Sequence, residues 1–275
     1  MKIGRIGSFT LALAIVICAV FSLRVWLIPA DNKPDTTVAL ITKNRPNPGL
    51  MPDFSAINDV AAKKQAFFDF LRPTVRQQNA IIADERRFLE SSLANLENAH
   101  PLTEAEEFRI RKIAAKYQYS SKFYDAKTLT RLLKRVDIIP EAMVLIQAAN
   151  ETGWGSSRFA REGLNFFGQW CFSSGCGLVP LSRNDNMNHE VKVFNTVEAS
   201  VASYMRNLNS NAAYSLFRSI RADLRSQNIE PEAEQLIYGL VNYSERQEAY
   251  VDELLDMLRH NEQFLVDTHA QTPAA

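Results

Sequence analysis

Met143-Val144-Leu145-Ile146-Gln147-Ala148-Ala149-Asn150-Glu151-Thr152-Gly153-Trp154-Gly155-Ser156-Ser157 is an apolar run that ends in one carboxylate and breaks at Gly-Trp-Gly. Pro140 stands just ahead, where proline suits the first turn of a helix. The run therefore reads as a buried helix ending near Glu151. An acid in the last turn of such a helix lies at the rim of whatever the helix is buried against. Apolar and aromatic surroundings disfavour its charged form, raise its pKa and let it hold a proton near neutral pH. A general acid for glycosidic bond cleavage needs that property. Taken alone, the same residues also fit a Glu that merely ends a helix at a turn.

Upstream, the pattern is helical. From Asp59, apolar residues recur at Ala62, Ala66, Phe67, Phe70 and Leu71. A break or kink is expected at Pro73, after which the pattern resumes through Val75, Ile81, Ile82, Phe88, Leu89 and Leu93. Thr103-Glu104-Ala105-Glu106 is a capping box opening a helix through Ile110, Ile113, Ala114 and Tyr117. A short helix over 127–135 follows. Residues 153–189 are loop-rich, and His189-Glu190-Val191-Lys192-Val193-Phe194 alternates as a strand of a small hairpin or sheet does. Helices are expected again at 196–209, 212–226, 231–243 and 246–260. The chain is thus expected to be mainly α, with a small β element.

The net charge is zero, so there is no global basic field of the kind nucleic-acid binders use. At the N-terminus, Lys2 and Arg5 precede an apolar stretch from Phe9 to Leu23, then Arg24 and Val25-Trp26-Leu27-Ile28-Pro29-Ala30. Residues 1–30 read as an export signal or a membrane anchor. Ile28 makes a small-x-small cleavage pattern before Ala30 imperfect. The strictly apolar run is short of the ~20 residues of a span, although Arg24 can snorkel and Trp26 suits the interface. Residues 31–57, with Pro34, Pro46, Pro48 and Pro52, read as a disordered linker. A folded region is expected over 58–265 and a flexible tail over 266–275. Cys18 falls in the apolar segment. Cys171 and Cys176 bracket Phe-Ser-Ser-Gly and would close a small disulfide loop in an oxidising compartment. A zinc site needs about four ligands, and no Cys or His pair accompanies these two. His189-Glu190 has no second His at zincin spacing. No metal and no cofactor are expected.

Glu151-Thr152-Gly153-Trp154-Gly155-Ser156-Ser157, followed by Asn165-Phe166-Phe167-Gly168, resembles the catalytic region of the peptidoglycan endo-β-N-acetylglucosaminidases of the flagellar and autolysin type. Their hallmark is Glu-(Ser/Thr)-Gly-Trp-Gly-(Lys/Ser)-Ser and then Asn-Leu-Phe-Gly. The resemblance spans roughly 67–261 and is strongest over 140–180. It implies a lysozyme-like fold, in which a helical lobe and a small β lobe flank a glycan groove. It implies hydrolysis of the β-1,4 bond after N-acetylglucosamine in peptidoglycan strands, with Glu151 as general acid. Members carry a second Glu on the β lobe, and Glu190 stands there, with Asp185 and Glu162 as rivals. Tyr243-Ser244-Glu245-Arg246-Gln247-Glu248-Ala249-Tyr250 is similar to the family's Tyr-Ala-Thr-Asp-Pro-x-Tyr but one residue longer. A tyrosine there lines the cleft by the acid; Tyr243 is the expected catalytic one and Tyr250 a substrate contact. Trp154, Phe167 and Trp170 suit stacking on sugar faces, and Asn165 suits a substrate amide. Core packing explains Trp154 and Phe167 equally well. Helix caps and core positions explain most of Ser200, Tyr204, Asn207, Asn209 and Tyr214. The positive charges ahead of the apolar N-terminal segment place the bulk of the chain outside the cytoplasm, as a periplasmic protein tethered to the inner membrane or secreted after signal cleavage, and such an activity needs restraint by the tether or a regulatory partner. A muramidase or lytic transglycosylase on the same fold, a non-catalytic wall-binding protein and a membrane-tethered adaptor are the rival readings. The Gly-Trp-Gly box argues against the first.

Overall fold

The computed structural model describes residues 51–180 and 189–266. The expected export segment, the linker up to residue 50, Asp185 and the tail from 267 lie outside the described residues. The helices are α1 (Val60–Glu97), α2 (Glu104–Lys116), α3 (Ala126–Leu133), α4 (Glu141–Thr152), α5 (Arg158–Gly163), α6 (Val197–Ser210), α7 (Ser215–Ser226), α8 (Ala233–Ile237), α9 (Glu248–His260) and α10 (Glu262–Leu265). Between α5 and α6 lie three short strands: β1 (Trp170–Cys171), β2 (Gly177–Leu178) and β3 (Glu190–Lys192). They form one antiparallel sheet in the order β1-β3-β2. The architecture is mainly helical with a small β lobe, as the lysozyme-like expectation has it. Among the described residues no helix is long and apolar enough to cross a membrane.

The Asp59 carboxylate caps α1 by accepting from the Ala62 amide at 2.7 Å. The helix does not break at Pro73; it runs through it to Glu97. Phe67, Phe68 and Leu71 before the proline and Thr74 and Val75 after it are all buried. Packing against α3, α4 and α6 carries α1 across the missing N–H. The capping box of α2 forms as the sequence predicts: the Glu106 amide reaches Thr103 Oγ1, and the Thr103 amide reaches Glu106 at 2.8 Å.

At the centre is α4, packed against α1, α8 and α9. Every residue from Met143 to Ala149 is buried. Gly153 ends the helix in the left-handed region, and Trp154 and Gly155 follow in the same conformation. The Thr152 hydroxyl braces this reversal by donating to Ala148 O at 2.6 Å and accepting from the Gly155 amide at 2.9 Å. A Cβ on Gly155 would come within 2.4 Å of the Phe54 ring, so only glycine lets that ring close over the turn.

Phe54 also corrects the linker boundary. Within 51–57 Phe54 alone is fully buried, edge-on to Phe67 (5.3 Å) and Phe70 (5.7 Å). The prolines around it suggested a linker, but one aromatic side chain anchors the stretch. Phe54→Ala is expected to destabilise the chain by about 3–5 kcal/mol, read as a shift of the urea midpoint. An unchanged midpoint would mean that the segment contributes no packing.

A buried charge cluster sets the opposite side of the core. Asp137, 2% exposed, faces Arg86 at 3.2 Å, Arg225 at 3.1 Å and Arg221 at 3.8 Å. Arg221 also donates to the carbonyls of Asp137 and Ile138 and to Asn209 Oδ1. It thereby fastens α7 to the segment ahead of α4. Burial lowers the pKa of this guanidinium to about 10.

Candidate active site

A groove of about 930 Å³ runs between the helical lobe and the sheet. Its lining includes Glu151, Gly168, Trp170, Phe172, Arg206, Tyr214, Tyr243, Glu245 and Arg246. That volume is in the range of ligand-binding clefts. Glu151 enters it from the last turn of α4 and is half-buried. Its Oε1 accepts the Tyr250 hydroxyl at 2.8 Å. Its Oε2 accepts no hydrogen bond among the described residues and lies beside Gly168. Burial raises the Glu151 carboxyl above the ordinary 4.5, opposed by the Tyr250 hydrogen bond and Arg246 and reinforced by Glu253.

Gly168 is in the left-handed region at φ +60, and a Cβ built there would lie 3.3 Å from Glu151 Oε2. Gly168→Ala therefore strains the backbone by about 1–2 kcal/mol and covers the free oxygen of the acid. The expected loss in kcat/KM on glycan strands is about 100-fold, that of a small misplacement at a reacting centre. Wild-type kinetics in this variant would show that Oε2 is not the working oxygen.

Tyr243 lines the groove, as expected, and Tyr250, 2% exposed in the first turn of α9, is the tyrosine that contacts the acid. Tyr243 stacks on it nearly parallel at 5.5 Å and donates its hydroxyl to the Phe167 carbonyl at 2.8 Å. Burial pushes both hydroxyls above the usual tyrosine range.

Glu190 is brought to the sheet rather than to the groove lining. It is 5% exposed and accepts from the Gly175 amide at 2.9 Å and the Gly177 amide at 2.7 Å, one on each oxygen. The Gly175 amide belongs to the loop closed by the Cys171–Cys176 disulfide, and the Gly177 amide opens β2 just after it. Cys171, Cys176 and Glu190 come together closely enough to resemble a ligand set, but the disulfide takes up both sulfurs. Glu162 is on α5, beside Arg158 at 3.8 Å, and also lies outside the groove lining.

Trp154 and Asn165 have structural tasks. Trp154 packs on Phe68 (5.2 Å) and Phe67 (6.0 Å), with the Lys64 ammonium 5.0 Å from its ring. Asn165 is buried; its amide donates to the carbonyls of Gln169 and Lys192, and its oxygen accepts from the amides of Phe167 and Gln169. Phe167 borders the groove while its buried ring stacks on Tyr204 at 3.9 Å. Trp170 is 55% exposed on the β wall, with one ring face against His189 at 4.2 Å, and Phe172 beside it is 75% exposed. The sequence reading missed Phe172, Glu245, Arg206 and Arg246 in the groove, and Gln147 behind it. Gln147 did carry a signal. Between Met143 and Ala149 it is the one polar residue, four positions before Glu151 and hence on the same helix face.

Residues 126–263 match the family model described as mannosyl-glycoprotein endo-beta-N-acetylglucosaminidase. The chain is 33% identical over 225 residues to Protein bax of Escherichia coli (strain K12), covering 82% of this chain and 79% of that protein. No solved structure matches.

Proposed function

The chain belongs to the glucosaminidase family, and from that premise we propose that it hydrolyses the β-1,4 bond following N-acetylglucosamine in peptidoglycan strands, with Glu151 as general acid. The observation carrying this reading is the Glu151 carboxyl: half-buried, bonded through one oxygen only, its pKa raised, and set in a groove with exposed aromatic rings. In the reaction, Glu151 gives its proton to the leaving glycosidic oxygen and becomes a carboxylate. The Tyr250 hydroxyl then faces a charged acceptor and stabilises it more strongly. Trp170 and Phe172 on the β wall stack against sugar faces. Glu245 is the other carboxylate among the described residues that line the groove. It takes the role of orienting the attacking water, with Glu190 in a supporting role. Wall glycan lies outside the cytoplasm, so the reading includes a periplasmic body, tethered or released by the N-terminal segment.

The test is digestion of purified peptidoglycan by the full-length chain beside Glu151→Gln, with products reduced by borohydride and read by mass spectrometry. Reduced N-acetylglucosamine ends from the wild type alone are the expected result. Reduced N-acetylmuramic acid ends, anhydro ends, or equal product from the variant would overturn it.

A further inference from the structure

Tyr204, Gln147 and Tyr250 form a line of hydrogen bonds through the helical lobe that ends on Glu151. Tyr204, on α6, donates its hydroxyl to Gln147 Oε1. Gln147, on α4, donates Nε2 to the Tyr250 hydroxyl at 2.9 Å. Tyr250 donates to Glu151 Oε1 at 2.8 Å. Gln147 is fully buried, and the two tyrosines are 1% and 2% exposed. Tyr204 is further clamped by its stack on Phe167.

The direction of this line is constrained. A tyrosine hydroxyl has one proton, and a glutamine amide has an acceptor end and a donor end. Tyr204 has no other acceptor among the described residues, so its proton goes to Gln147 Oε1. The NH₂ end of Gln147 then faces Tyr250 and occupies its oxygen as acceptor. The Tyr250 proton is left for Glu151. Reversing the line would strand the Tyr204 proton in the core without an acceptor.

We propose that Gln147 and Tyr204 are positioning residues: by fixing the direction of the Tyr250 hydroxyl they keep Glu151 Oε1 an acceptor and confine the acid's proton to Oε2, the oxygen beside Gly168. The inference rests on Glu151 being the general acid. In the chemical step the Oε2–H bond breaks, the proton joins the leaving glycosidic oxygen, and the electron pair stays on the carboxylate. Were Oε1 able to carry the proton, it would donate inward to Tyr250, and that fraction of the enzyme would be protonated on the wrong atom.

The groups acting on Glu151 besides Tyr250 are Arg246 and Glu253, and the carboxylate in turn acts on Tyr204, Tyr214 and Tyr243. None of these is changed by Gln147→Leu except through the line itself. Tyr204→Phe keeps the ring stack and removes only the hydroxyl that orients the amide, so it serves should Gln147→Leu fold poorly. Each is made in the full-length chain, alone and with Tyr250→Phe. The expected result is a fall in kcat of about tenfold, part of the contribution of a positioned acid, with KM within about twofold and the alkaline limb of the rate profile moved to higher pH. In the Tyr250→Phe background neither change is expected to lower kcat further. A loss of the same size in that background, or a fall in kcat with the pH profile unmoved, would reduce the line to packing.

Titration of the ¹³C-labelled Glu151 carboxyl by NMR separates this idea from the activity itself. An upward shift in both variants in a chain that cuts no glycan would uphold the line and sink the hydrolase reading. An active chain whose Glu151 titration is unmoved would do the opposite.

Discussion

Glu151→Gln lowers turnover on glycan strands by about 10³-fold, the loss of a positioned general acid, and makes the protein more heat-stable near pH 8. The second effect follows from the same geometry as the first. The folded Glu151 carboxyl titrates above its ordinary 4.5 because of burial. Between the unfolded and folded pKa values the folded chain therefore holds a proton that the unfolded chain has released. Stability falls as pH rises through that window and stays lower above it. The substituted amide has no charge to bury and still offers an oxygen to the Tyr250 hydroxyl. The melting temperature of the variant should exceed the parent's near pH 8, and the gap should close near pH 4. Thermal melts at both pH values, beside the digestion assay, check this. A variant that melts lower near pH 8 would mean that the charged carboxylate is stabilised where it sits.

Glu190→Ala unfolds the β lobe before the rest of the molecule, whereas Glu190→Gln mostly spares catalysis. The alanine leaves the amides of Gly175 and Gly177 without their acceptor. At about 1–3 kcal/mol for each stranded donor, the loss is about 2–6 kcal/mol. Glutamine keeps one acceptor oxygen and sets an NH₂ against the other amide, so about half of that loss is expected. Below its melting temperature the glutamine variant should retain kcat within a few-fold. A catalytic carboxylate predicts the reverse pattern: an unchanged melt and kcat down by about 100-fold. Hydrogen exchange at the two glycine amides, measured beside kcat, distinguishes the cases.

Glu190 also shows where the sequence stops being readable. Its alternation with Val191 and Lys192 predicts β3, and β3 is there. The pattern does not say that both neighbouring strands are two residues long, because periodicity needs more positions than that to appear. Without β1 and β2 the disulfide loop has no place, and the acceptor role of Glu190 cannot be inferred. Which tyrosine touches the acid is hidden for a related reason. Tyr243 and Tyr250 sit on either side of the start of α9, which opens at Glu248 after Gln247 in the left-handed region. The chain's turn there decides which hydroxyl meets the acid, and spacing alone does not record it. The α4 run, its break at Gly153 and the Thr103 capping box were legible because each is settled by neighbours within a few positions. The continuity of α1 through Pro73 was not, since distant helices enforce it.

The aromatic bed beneath the Gly-Trp-Gly turn bears on what counts as a unit of this protein. The alignment with Protein bax spans 225 residues and so takes in Phe54, whereas the family model begins only at residue 126. Yet Phe54, Phe67 and Phe68, which meet Gly155 and Trp154, all come from before it. The family model and the folding unit thus have different borders on this chain: excised at 126, the acid would keep its motif and lose the floor on which the motif stands.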